Sequence, residues 1–133
     1  MSTDARVFLA AGAIAAFLAV GLGAFGAHAL RERLPADLLA IYRTAVEYHF
    51  WHALGLLAIG LALGLTAAPA APAPGPVLLR WAGWLMIGGM LLFSGSLYAL
   101  ALTGVRSLGA LTPVGGILLL AAWAAFAAAA LRA

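Results

Sequence analysis

Cysteine is absent from this 133-residue chain, and charged residues make up only 8% of it. Without cysteine there are no disulfides, no thiolate nucleophile, no cysteine-held iron–sulfur cluster and no covalent c-type haem. The scarcity of charge excludes more. A soluble domain carries roughly 25% charged residues to wet its surface; here 66% of residues are hydrophobic and mean hydropathy is +1.12. Such a chain needs a solvent as apolar as itself. Lysine is missing too, so the net charge of +3 rests on seven arginines against two aspartates and two glutamates. The arginines are scattered. Nucleic-acid binding requires a basic patch or stripe, and no run of basic residues supplies one.

What remains is long apolar windows. Between Arg6 and His28 lie 21 residues without an ionisable group, and Glu47 and Arg80 bracket 32 residues with His49 and His52 at their start. Arg80, Arg106 and Arg132 then enclose two windows of 25 residues each. A helix crosses the hydrocarbon core in about 20 apolar residues. The spacing therefore predicts spans near 7–27, 48–65, 79–102 and 108–131. Backbone polar groups in lipid must be satisfied internally, which leaves helices or closed barrels. The run 117–130 does not alternate as a barrel strand must. The expected fold class is all-α: an integral membrane bundle of four transmembrane helices in one domain. Ala27-His28-Ala29 mimics a signal-peptidase site, but the preceding stretch is 21 residues, against roughly 7–15 for a signal peptide. No cleavage is expected.

The connections carry their own signals. Segment 31–46 places Leu34, Leu38, Ile41, Tyr42 and Ala45 on one helical face. Pro35 suits a first helical turn and Asp37 a helix N-terminus, so a short amphipathic interfacial helix is expected between the first and second spans, either separate from the second span or continuous with it. Loop 67–76 is proline-rich and reads as a stiff extended connector. A tight turn is expected at 103–107, then Thr112 as N-cap with Pro113 at the first helical position. Trp81, Trp84 and Tyr98 sit near span ends, where amphipathic rings favour the interface. Arg6, Arg80 and Arg132 share one side of the membrane against Arg31, Arg33, Arg43 and Arg106 on the other. Three against four gives the positive-inside rule nothing to act on.

Helices in lipid associate through close packing at small residues and a few polar contacts. Candidate packing glycines are Gly23 and Gly26 in the first span, Gly60 and Gly64 in the second, Gly95 in the third, and Gly115 and Gly116 in the fourth. Surplus small faces favour a homo-oligomer or membership of a larger membrane complex.

The polar residues resemble a known pattern. Gly23-Ala24-Phe25-Gly26-Ala27-His28-Ala29-Leu30, Thr44-Ala45-Val46-Glu47-Tyr48-His49 with His52-Ala53-Leu54, Phe93-Ser94-Gly95-Ser96-Leu97-Tyr98 and Thr112-Pro113-Val114-Gly115-Gly116 follow in order. They are similar to the motifs of the YgdD-like family, also described as domain of unknown function 423. The resemblance covers nearly the whole chain. It implies a small four-helix protein of the bacterial inner membrane with no established activity. It also implies shared positions at His28, Glu47, His52, Ser94, Ser96, Tyr98 and Thr112. Position 49 is often Gln in related sequences, which disfavours a role that requires imidazole there.

Ionisable groups inside a membrane are costly and mark candidate sites. The candidate cluster is His28, Glu47 and His52, with Ser94, Ser96 and Tyr98 as neighbours. On one helix His49 and His52 lie about 60° apart, and Arg43 and Glu47 are one turn apart, within pairing reach. Three readings follow. His28 and His52 could meet across two spans and hold a metal or haem iron. The cluster could line a path for protons or a small solute through an oligomer. Or the same residues act as structural glue in an accessory, scaffold or assembly component, the preferred reading. No catalytic residues are expected: the chain holds no nucleophile elbow, P-loop or paired catalytic carboxylates. No cofactor is assigned.

Overall fold

The computed structural model describes residues 1–66 and 74–132. Helix α1 spans Thr3–Phe25 and runs straight into a π-helical turn at Gly26–Leu30. Helix α2 is Ala36–Leu65, α3 is Pro74–Thr103, and α4 is Thr112–Ala130 after a 3-10 turn at Arg106–Ala110. Among the described residues there is no strand. All four helices are long and apolar enough to cross a membrane.

Local chemistry explains the ends. Ser2 caps α1 by accepting a hydrogen bond from the Ala5 N–H at 3.2 Å, and Asp4 lies in the positive first turn. Gly104, at φ +73°, ends α3 in the left-handed region that glycine enters without steric cost.

Several boundaries differ from the expected ones. Of the two alternatives for the amphipathic segment, the continuous one holds: from Ala36 on, it is the first third of one unbroken α2. Nothing between Val46 and Tyr48 breaks a helix, so the winding continues into the span. Pro35 accordingly caps α2 from outside. In the expected loop, 67–73 lie outside the described residues, but Pro74, Gly75 and Pro76 begin α3. A first turn tolerates proline because its N–H groups have no intrahelical partner. Positions 108–110 belong to the 3-10 turn, and Thr112 lies inside α4 rather than capping it.

Successive helices run antiparallel, and the glycines record how closely. Along α1, Leu9 meets Gly60, Gly12 meets Ala53 and Leu57, Gly23 meets Val46, and Gly26 meets Tyr42. A Cβ at Gly12 would stand 2.9 Å from the Ala53 carbonyl oxygen and from the Leu57 nitrogen, so backbone lies directly against backbone. Gly89 and Gly115 do the same between α3 and α4, against Leu119 and the Phe93 backbone. The α1–α2 and α3–α4 hairpins dock mainly through α2 on α3. There Met86 packs on Gly55 and the Tyr48 and Phe93 rings stack with centroids 4.5 Å apart. Phe8 reaches across from α1 to cover Gly83 and meet Trp84 edge-on. Lipid gives no hydrophobic drive between helices, so these van der Waals contacts are what hold them together.

Of the other expected packing glycines, Gly64 and Gly116 make ordinary contact with Met1 and Phe93. Gly95 does not pack: a Cβ there would meet nothing within 4 Å. Gly55 and Gly83, not among the expected packing glycines, do pack, against Met86 and Phe8.

Among the described residues, one ion pair stands at each end of the bundle. Arg80 Nε lies 2.8 Å from Asp4 Oδ2, and Arg106 Nη2 lies 3.2 Å from Asp37 Oδ2. The exterior between them is apolar: Phe17 is 78% and Leu120 73% exposed, as suits side chains that face lipid.

Candidate functional site: a divided set of polar residues

The expected cluster is divided between the outside and the inside of the bundle. His28 is exposed on the π turn and Glu47 is exposed on the outer face of α2. His52, Ser94 and Ser96 are buried, and Tyr98 is half-buried. Gly26 lies beside Tyr42, so His28 is level with the start of α2. His52 is then roughly 15 Å deeper at 1.5 Å per residue. A metal or haem iron bridging His28 and His52 has no geometric support. Among the described residues no group of three or more His, Asp or Glu is arranged to hold a metal ion.

Inside, three small polar contacts join the helices. His49 Nδ1 and the Tyr98 hydroxyl share a hydrogen bond at 3.1 Å between α2 and α3. The Tyr98 ring meets Tyr42 edge-on with centroids 5.2 Å apart. Tyr42 in turn donates its hydroxyl proton to the Leu22 carbonyl of α1 at 2.8 Å. Three helices are thus tied near one membrane face. Tyr98 is not the interfacial anchor its position suggested, whereas Trp81 and Trp84 are exposed.

One turn deeper, His52 Nδ1 bonds to the Tyr48 carbonyl oxygen of its own helix. A carbonyl only accepts, so Nδ1 carries the proton and Nε2 is left with its lone pair. The imidazole lies between Tyr48, centroids 5.9 Å away, and Trp123 of α4 at 6.2 Å. Between α3 and α4, the Ser96 and Thr112 hydroxyls lie 2.8 Å apart, and Ser96 also reaches the Phe93 carbonyl at 3.0 Å. Thr112 is not a cap because the helix already includes it, with Leu111 at the cap position. Ser94, 2% exposed, has no hydrogen-bond partner.

Two residues escaped the sequence reasoning. His49 was discounted because Gln stands there in related sequences, yet a Gln amide offers the same donor and acceptor capacity towards a tyrosine hydroxyl. What the structure shows at 49 is a hydrogen bond from α2 to the Tyr98 hydroxyl of α3. Tyr42 was read only as part of an apolar face. The glycine one interhelical layer away, Gly26, was the available signal for its ring.

Outside, Arg43 and Glu47 border a shallow depression of about 220 Å³ between α1 and α2, floored by Gly23, Gly26, Tyr42 and Val46. It adjoins a second of about 340 Å³ that runs past Ala24 to Trp51. Although one turn apart, the two charged side chains form no ion pair with each other.

This architecture, with four long apolar helices and a lipid-type exterior, defines a multi-pass α-helical membrane protein. The family described as Protein of unknown function (DUF423) matches residues 22–116, and the chain belongs to it. It is similar to the UPF0382 membrane protein YwdK of Bacillus subtilis, 45% identical over 127 residues, which is 96% of this chain and 98% of that protein. It is similar also to a UPF0382 membrane protein of Staphylococcus epidermidis, 46% identical over 127 residues, covering 96% and 97%. A third relative, UPF0382 membrane protein SSP2132 of Staphylococcus saprophyticus, is 46% identical over 118 residues, covering 89% and 91%. No solved structure matches the chain.

Proposed function

We propose that this protein is a non-enzymatic accessory or scaffold component of the bacterial plasma membrane, working as a homo-oligomer or within a larger complex. The observation that carries the reading is how its polar groups are used. His49 and Ser96 are engaged by Tyr98 and Thr112 across helix seams, and His52 by the Tyr48 carbonyl of its own helix, so these buried groups are spent on packing. His28 and Glu47 face outward, away from them. A transport path drawn through all of these residues would have to pass through the packed α1–α2 seam. Relatives from Bacillus and Staphylococcus support a bacterial setting. Helical spans suit the plasma membrane, since bacterial outer membranes are crossed by barrels.

The test is purification from native membranes in mild detergent, with particle mass, co-purifying proteins, elemental analysis and an absorption spectrum. A colourless particle, either of several copies or with a stoichiometric partner, is the expected result. A clean monomer counts against the assembly reading. Metal or haem lost on His52→Ala would replace it with a ligand-binding one.

A further inference from the structure

Glu47 poses an unsolved electrostatic problem. Tyr42 is level with Gly26, and one turn deeper Val46 is level with Gly23, where a Cβ would stand 3.3 Å from Val46 Cγ1. The charged turn that holds Arg31 and Arg33 follows the π turn directly. At 1.5 Å per residue, the eight to ten residues from Gly23 to Arg31 and Arg33 put Glu47 about 12–15 Å inward of that turn, near the boundary between headgroups and hydrocarbon. It is exposed there and in neither ion pair. An unpaired carboxylate at that depth is costly. The nearest cation along its helix, Arg43, is one turn nearer to water, equally exposed, and likewise in neither pair.

Two occupants of the groove beside these residues can be compared by the order of their charges. A zwitterionic phospholipid carries its phosphate on the membrane side and its ammonium outward. Against this groove its phosphate would meet Glu47 and its ammonium Arg43, like against like. A second copy of the chain, related by a two-fold axis along the membrane normal, presents every residue at its own depth. Arg43 then reaches the partner's Glu47, and Glu47 the partner's Arg43. The offset is one helical turn, about 6 Å, within the reach of an arginine side chain. A patch that carries both signs is self-complementary, as a two-fold interface requires, and the depression between Arg43 and Glu47 leaves room for the partner's side chains.

We infer that the α1–α2 groove is a homodimer interface closed by two reciprocal Arg43–Glu47 ion pairs. The inference rests on the assembly reading and gives it one face and one partner.

The absence of cysteine makes the test clean. Single variants Trp51→Cys and Ala24→Cys, beside the groove, are oxidised in native membranes and compared with Leu91→Cys on the outer face of α3. Covalent dimer is expected from the groove positions and not from position 91. In the Trp51→Cys background, Arg43→Glu and Glu47→Arg should each lower the dimer yield roughly tenfold, as loss of close interfacial charge pairs does. Combining the two reversals should restore it. Dimer at position 91 in place of the groove, or a double reversal no better than either single one, overturns the interface. So does a monomer with bound phospholipid whose content falls in Glu47→Gln. A foreign stoichiometric partner without groove cross-links overturns this face and leaves the accessory reading standing. A monomer with neither overturns both.

Discussion

The imidazole of His49 and the hydroxyl of Tyr98 meet at 3.1 Å across the seam between α2 and α3, where Tyr42 packs edge-on against the same tyrosine and ties it to α1. Interhelical hydrogen bonds in lipid are worth on average about 0.6 kcal/mol and up to ~1.7. His49→Leu and Tyr98→Phe should each lower the midpoint of thermal unfolding in detergent, and the double variant should lose little more than either alone. His49→Gln should stay near the parent. A Gln variant as damaged as the Leu one would mean that imidazole itself is needed.

Ser94 is the buried hydroxyl without a partner. Ser94→Ala removes an unmet donor at almost constant shape, so the midpoint should rise, by an amount equivalent to about 1 kcal/mol. A fall would reveal a polar guest, such as a bound water, that the serine holds.

Gly12 and Gly95 should respond oppositely to a methyl. Gly12→Ala places a methyl 2.9 Å from two backbone atoms of α2, and overpacking of this kind costs about 1–3 kcal/mol. Gly95→Ala enters open space and should change stability by less than about 0.5 kcal/mol. Equal losses at both sites, by thermal unfolding, would contradict the packing described.

The Asp4–Arg80 pair is partly solvated, its side chains 32% and 52% exposed. Arg80→Gln should therefore cost at most about 1 kcal/mol, and the difference from the parent should shrink as salt is raised. A larger, salt-insensitive loss would place the pair in a drier setting.

The four helices were legible because charge cannot stay in hydrocarbon, so charges fence the apolar windows. The faces of those helices were not. A helix apolar all round carries no 3.6-residue stripe to say which side turns inward, so His28, Glu47 and His52 were grouped by chemical type and fell on different surfaces. The π turn added to this at His28, because a widened turn departs from the 100° step by which residues are placed on a face. Gly95 misled for a related reason: a small residue allows contact without requiring it. Tyr42 and His49 show the converse, since each partner lies on another helix and nothing in sequence spacing records a neighbour 20 or 49 positions away.

The two end clasps have one more property. Asp4 and Asp37 both belong to the first hairpin, while Arg80 and Arg106 both belong to the second. Each half of the chain thus brings acid, or base, to both water faces. Neither clasp can close within a half, and both close only when the halves stand in the correct register with the same ends up. The halves are keyed like plugs and sockets, so a chain severed between α2 and α3 retains at both poles the charges that mark the correct register.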